Sequence, residues 1–157
     1  MERDIVAPCP AMRHPSSMSD LEYHYETIGR VLDHLVSNGL RRLDFEAADA
    51  MDVMTHRIGD EVDVLATFND VLHWMLGEGL IRCTSVQDCE YCDYFNGVQL
   101  TSKGIAIIQT NAPIDGLDAN VQDTLTQADM GSLSSDVYQK IGSFVGGAAG
   151  GFLQSFG

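Results

Sequence analysis

Cys83, Cys89 and Cys92 stand within ten residues as C-x5-C-x2-C, a spacing at which thiolates can do two kinds of chemistry. The Cys89-Glu90-Tyr91-Cys92 pair has the separation that lets two sulfurs grip one zinc ion from a tight turn. A structural zinc site takes four ligands, so Cys9, His14 or His73 would have to complete it across the fold. The same pair could act as a redox dithiol, but Asp88, Glu90 and Asp93 disfavour the thiolate. Ordinary reduced thiols that need no cofactor are the plainer reading, and zinc on Cys83, Cys89 and Cys92 is the alternative.

Other catalytic patterns are missing from the sequence. It contains no P-loop, no dinucleotide glycine fingerprint, no His-Glu-x-x-His and no Gly-x-Ser-x-Gly. Its five histidines are scattered, and none has a spaced partner that suggests proton transfer. The expectation is a protein that is not an enzyme.

Charge is the stronger signal. The 157 residues hold 23 acidic against 9 basic side chains, a formal net charge of −14. Nucleic-acid affinity comes largely from Lys and Arg displacing counterions, so phosphate repels such a chain. An acidic balance favours basic protein surfaces, or simply keeps a protein soluble. No run reaches the roughly 20 apolar residues that a membrane span requires. Met1 to Ser19 lacks the apolar core of a secretory signal, so a cytoplasmic location is expected.

The elements that must position these residues follow from apolar periodicity. Residues 1–19 read as an irregular arm, broken by Pro8, Pro10 and Pro15. Leu21, Tyr25, Ile28, Leu32 and Leu35 form one stripe of a first helix that Asn38-Gly39 ends. A second, shorter helix is expected from about Asp44, with Leu43, Ala47, Met51 and Met54 inward. Ile58-Gly59 breaks it, and Asp60 caps a third helix that buries Val62, Leu65, Phe68, Leu72 and Met75. Beyond Gly79 the period shortens to that of a hairpin, Leu80–Thr84 against Tyr94–Leu100, with Asn96-Gly97 as a bulge signal.

The run from Leu72 through Gly79-Leu80-Ile81-Arg82, a hairpin, and then Leu100-Thr101-Ser102-Lys103-Gly104 resembles the winged-helix superfamily over residues 20–108. The resemblance implies a winged-helix domain at 20–110 and leaves function open, because function lives in sites grafted on a scaffold. A linker at 111–132 and a glycine-zipper tail at 133–157 complete the expected organisation. The expected fold class is mainly α with a small β-hairpin, an α+β arrangement with a glycine-rich C-terminal helix.

In a helix-turn-helix protein the third helix enters the major groove. Here residues 44–78 hold nine acids (Asp44, Glu46, Asp49, Asp52, Asp60, Glu61, Asp63, Asp70 and Glu78) against the single base Arg57. The expected function is therefore a non-enzymatic interaction module. Its acids, with Trp74 as an apolar anchor, would meet a basic protein surface. The sharp version imitates a nucleic-acid backbone and inhibits a nucleic-acid-binding complex, in the manner of a phage or mobile-element protein. The alternative is a DNA-binding transcriptional regulator that uses Arg30, Arg41, Arg42 and Arg82.

In the tail, Gly142, Gly146 and Gly150 recur every fourth residue, with Phe144 and Phe152 as bulk. A helix so rich in glycine needs a surface to pack on, since each glycine costs roughly 1 kcal/mol of helix propensity relative to alanine. A second copy of the chain and the chain's own domain are equally open as that surface, and membrane contact is a third choice.

Overall fold

The computed structural model describes residues 20–54, 61–111 and 113–154. Its elements run α1 (Asp20–Ser37), β1 (Leu43–Phe45), α2 (Ala47–Val53), α3 (Glu61–Gly77), β2 (Ile81–Arg82), β3 (Ser85–Gln87), β4 (Tyr94–Leu100), α4 (Ser102–Ile108), α5 (Val121–Gln127) and α6 (Ser135–Gln154). This is a mixed α+β architecture. The arm at 1–19, the Ile58-Gly59 break and the Asp60 cap lie outside the described residues.

The strands form one antiparallel sheet in the order β1-β4-β2, with β3 also paired to β4. The sequence reading missed β1, placing a helix start at Asp44 instead. Leu43 pairs with Val98 and Phe45 with Phe95, so between these pairs Asn96 and Gly97 of β4 face the single Asp44 of β1. The surplus residue is a bulge at Gly97, whose φ of 64° suits glycine. The helix expected from Asp44 therefore starts at Ala47; Ala50 and the capping Met54 are buried and Ala47 is half-buried, while Met51 points outward.

A single apolar cluster joins α1, α3, the sheet and the C-terminal helices. It includes Leu32, Phe45, Phe68, Leu72, Met75, Phe95 and Val98, and also Val121, Leu125, Tyr138, Ile141 and Val145. Leu21, expected on the inner stripe of α1, is exposed instead, one turn before that helix meets its neighbours. Val121 and Leu125 of α5 are buried, so residues 111–132 act as more than a spacer.

The end of α3 shows why its sequence reads as it does. The Gly79 N–H donates to the Leu76 carbonyl and the Leu80 N–H to Met75, closing the helix through a left-handed glycine at φ 72°. The chain re-enters through Thr101, whose hydroxyl accepts from the Gly104 N–H at 3.0 Å and so caps α4. A Cβ at Gly104 would collide with the Leu80 carbonyl, which accounts for glycine there.

The tail helix α6 packs on α1. A Cβ at Gly142 would overlap the Tyr25 carbonyl, and one at Gly29 would overlap the Tyr138 carbonyl. The two backbones therefore touch through a glycine from each helix.

Candidate functional site: an acidic helix face and its neighbours

Turning 100° per residue, α3 buries Val64, Leu65, Phe68, Val71, Leu72 and Met75 and exposes Asp63, Ala66, Asp70, His73 and Gly77. The outward face thus carries two carboxylates and no Lys or Arg. The adjoining hairpin loop adds exposed Asp88 and Glu90, again with no basic side chain. Asp60 falls outside the described residues, as does the side chain of Glu61.

The remaining acids divide by role. Asp44 on β1 accepts from the Gly97 N–H at 2.9 Å and the Tyr94 hydroxyl at 3.4 Å, which ties β1 to the bulge. Asp49 accepts from the Glu46 N–H at 2.9 Å and so covers an orphan donor at the start of α2. Glu46 and Asp52 are exposed. Trp74 is half-buried and packs against the core, so its ring belongs largely to the fold.

His73 and Asp93 meet although 20 residues separate them. The His73 Nε2 lies 2.7 Å from the Asp93 Oδ2, and the imidazole rests on Phe95 with ring centroids 5.1 Å apart. The other Asp93 oxygen accepts from the Cys89 N–H, and the Asp93 N–H donates to the Asn69 Oδ1 at 2.9 Å. The His73 hydrogen bond holds the Asp93 carboxyl below its ordinary value. The group fastens the hairpin loop to α3, and nothing in the sequence signals the pairing.

The three cysteines of this region occupy different environments. Cys92 is buried in the apolar cluster, Cys83 is half-buried and Cys89 is exposed. Burial, followed by the charges of Asp93, Cys89 and Asp49, pushes the Cys92 thiol up to about 11. Burial also raises Cys83. Among the described residues no group of three or more His, Cys, Asp or Glu is arranged to hold a metal ion. His73, one of the fourth ligands considered, is committed to Asp93, and Cys9 and His14 lie outside the described residues.

No family model matches this chain, and neither a curated protein nor a solved structure matches it significantly.

A buried polar group on α1 escaped the sequence reading. Glu26, Arg30 and Asp33 are each at most 4% exposed. The Arg30 Nε donates to the Glu26 Oε1 at 2.9 Å, and its guanidinium lies 4.5 Å above the Tyr138 ring. The Tyr138 hydroxyl donates to the Asp33 Oδ2 at 2.5 Å, the Gly131 N–H donates to the same oxygen at 2.8 Å, and the Ser135 hydroxyl donates to the Glu26 Oε1 at 3.0 Å. Burial first, then the bond to Asp33, raises the Tyr138 hydroxyl well above its ordinary value. This network joins α1 to α6. It also removes Arg30 from the basic patch expected with Arg41, Arg42 and Arg82, since its guanidinium is paired and enclosed.

The expected oligomerisation residues sort in the same way. Gly142 and Gly146 face Tyr25 of α1, and Phe144 is half-buried against the core. Gly150 is exposed, with nothing within 4 Å of an added Cβ, and the Phe152 side chain lies outside the described residues. Among the described residues no helix is long and apolar enough to cross a membrane.

Proposed function

We propose that the chain is a winged-helix interaction module that offers an acidic surface to a basic protein partner. The winged-helix reading is supported by the order helix, strand, helix, helix, hairpin, with β1 entering the sheet beside the long strand β4. The function rests on one observation. The outward face of α3 and the loop beside it carry Asp63, Asp70, Asp88 and Glu90 and no Lys or Arg among the described residues. Such a surface repels phosphate and attracts Lys- and Arg-rich grooves, including grooves that normally hold nucleic acid. Imitation of a nucleic-acid backbone, leading to inhibition of its binder, is the specific form of this proposal. The proposed action is non-enzymatic and needs no cofactor.

The test is a pull-down from the source cell with the full chain and with an Asp63→Asn/Asp70→Asn/Glu90→Gln variant, each with and without nuclease. The proposal expects a basic protein retained after nuclease treatment, released by salt and lost with the variant. Equal capture by the variant would remove α3 and the hairpin loop from the interface.

A further inference from the structure

Arg42 and Arg82 line one cleft of about 300 Å³ together with Cys83, Thr84, Gly97 and Gln99. The sheet register explains why they meet. Ile81 pairs with Leu100 and Arg82 with Gln99, while Leu43 pairs with Val98. Because Ile81, Val98 and Leu100 are buried, alternation sends Arg82 and Gln99 to the outer face of the sheet. Arg42, one residue before Leu43, falls on the far side of Gln99 in the same row. The outer face thus reads Arg42, Gln99, Arg82 across three strands.

Gly97 lines the cleft where Thr84 and Arg42 come closest to it. A Cβ there would lie 2.5 Å from the Thr84 Oγ1 and 3.6 Å from the Arg42 Cδ. Gln99 is held by a bond from its Nε2 to the Leu40 carbonyl at 2.5 Å. Asp44, the neighbouring carboxylate on β1, accepts from the Gly97 N–H and the Tyr94 hydroxyl. Among the described residues the guanidinium of neither Arg42 nor Arg82 forms an ion pair or side-chain hydrogen bond. In a chain with 23 acidic side chains, two unpaired guanidinium groups share one concavity.

We infer that this cleft is an anion site for a single phosphate group, either free or carried by a small phosphorylated molecule. Guanidinium forks match the oxygen spacing of phosphate, and two of them across a gap repel one another until an anion enters. The Thr84 hydroxyl supplies a neutral donor at the same edge. The occupant is small because the net charge of −14 opposes a polyanion far more than one compact phosphate. This inference is independent of the acidic-face proposal, which concerns α3 and the hairpin loop.

The test is a ¹H–¹⁵N NMR titration of the full chain with inorganic phosphate, a nucleoside monophosphate and a short DNA duplex. It is repeated on Arg42→Gln, Arg82→Gln and, as a control outside the cleft, Arg41→Gln. Saturable shifts of the Thr84, Gly97 and Gln99 amides are expected, weakened about tenfold or more by either cleft substitution and unaltered by Arg41→Gln. Tighter binding of the monophosphate identifies a phosphorylated small molecule, and equal binding identifies the free anion. Because each variant yields its own spectrum, misfolding is distinguished from lost binding. Shifts that do not saturate, that persist in both cleft variants, or that appear with DNA alone would overturn the inference.

Discussion

Gly142 on α6 lies against the backbone carbonyl of Tyr25 on α1, so close that no side chain fits between them. The contact fixes how near the two helices come. It also fixes the register in which Arg30 covers the Tyr138 ring. Gly142→Ala must push the helices apart, and the cost expected for overpacking a tight contact is about 1–3 kcal/mol. Gly147→Ala is the matched control on the same helix. Nothing lies within 4 Å of its added Cβ, so the substitution gains roughly 1 kcal/mol of helix propensity. Urea melts of both variants check the opposite signs.

The buried ion pair makes a sharper prediction. Arg30→Met leaves Glu26 enclosed without its counter-charge, a change that typically costs ~3–5 kcal/mol. Arg30→Met combined with Glu26→Leu removes both charges and recovers much of that loss. Recovery in the double variant, read from denaturant midpoints, separates the pair from simple packing. Tyr138→Phe removes one of the two donors to the Asp33 Oδ2, leaving the Gly131 N–H, and should cost about 0.5–1.5 kcal/mol in the same experiment.

Asp93 gives a pH dependence of definite sign. Its carboxyl sits below the ordinary value of 3.8 because His73 donates to it. The folded state therefore binds its proton less readily than the unfolded chain. The stability that the pair adds is present above that value and drains away as pH falls through the lower, folded value. Thermal melts should show the wild type's advantage over Asp93→Asn shrinking as pH falls below 3.8.

Thiol accessibility separates the cysteines. Cys89 is exposed, whereas Cys92 is buried and pushed up to about 11. A mildly alkaline thiol titration should modify Cys89 quickly and Cys92 only at the rate of unfolding. Mass mapping of the first labelled peptide reads the order.

Much of the fold was legible because it is written in apolar spacing. Leu65, Phe68, Leu72 and Met75 recur at helical intervals and are buried, and Tyr94 to Leu100 forms β4, its alternation interrupted at Asn96-Gly97 where the bulge signal stands. β1 was not legible. Three residues carry no period, and Asp44 falls where a helix is expected to start until Gly97 is known to stand beside it. The α1–α6 contact was half legible. The glycines announced a close approach, but glycine spacing says nothing of whose backbone arrives, and the choice depends on Gly29 and Tyr25 more than a hundred residues earlier. Arg30 reads as part of a basic patch, and Glu26 and Asp33 carry no signal, because the burial of all three is created by α6. Similarly, His73 with Asp93 and Arg42 with Arg82 become neighbours only through the sheet register and the hairpin.

The acidic face of α3 is tested most directly by fluorescence anisotropy of a labelled DNA duplex, titrated with the full chain near 0.15 M salt, where the Debye length is about 8 Å. No saturable binding is expected in the range of about 10⁻⁴ to 10⁻⁶ M, where ordinary non-specific DNA binders already associate. Saturable binding in that range, weakened by added salt and abolished by changes at Ala66 or His73 on the outward side of α3, would contradict it.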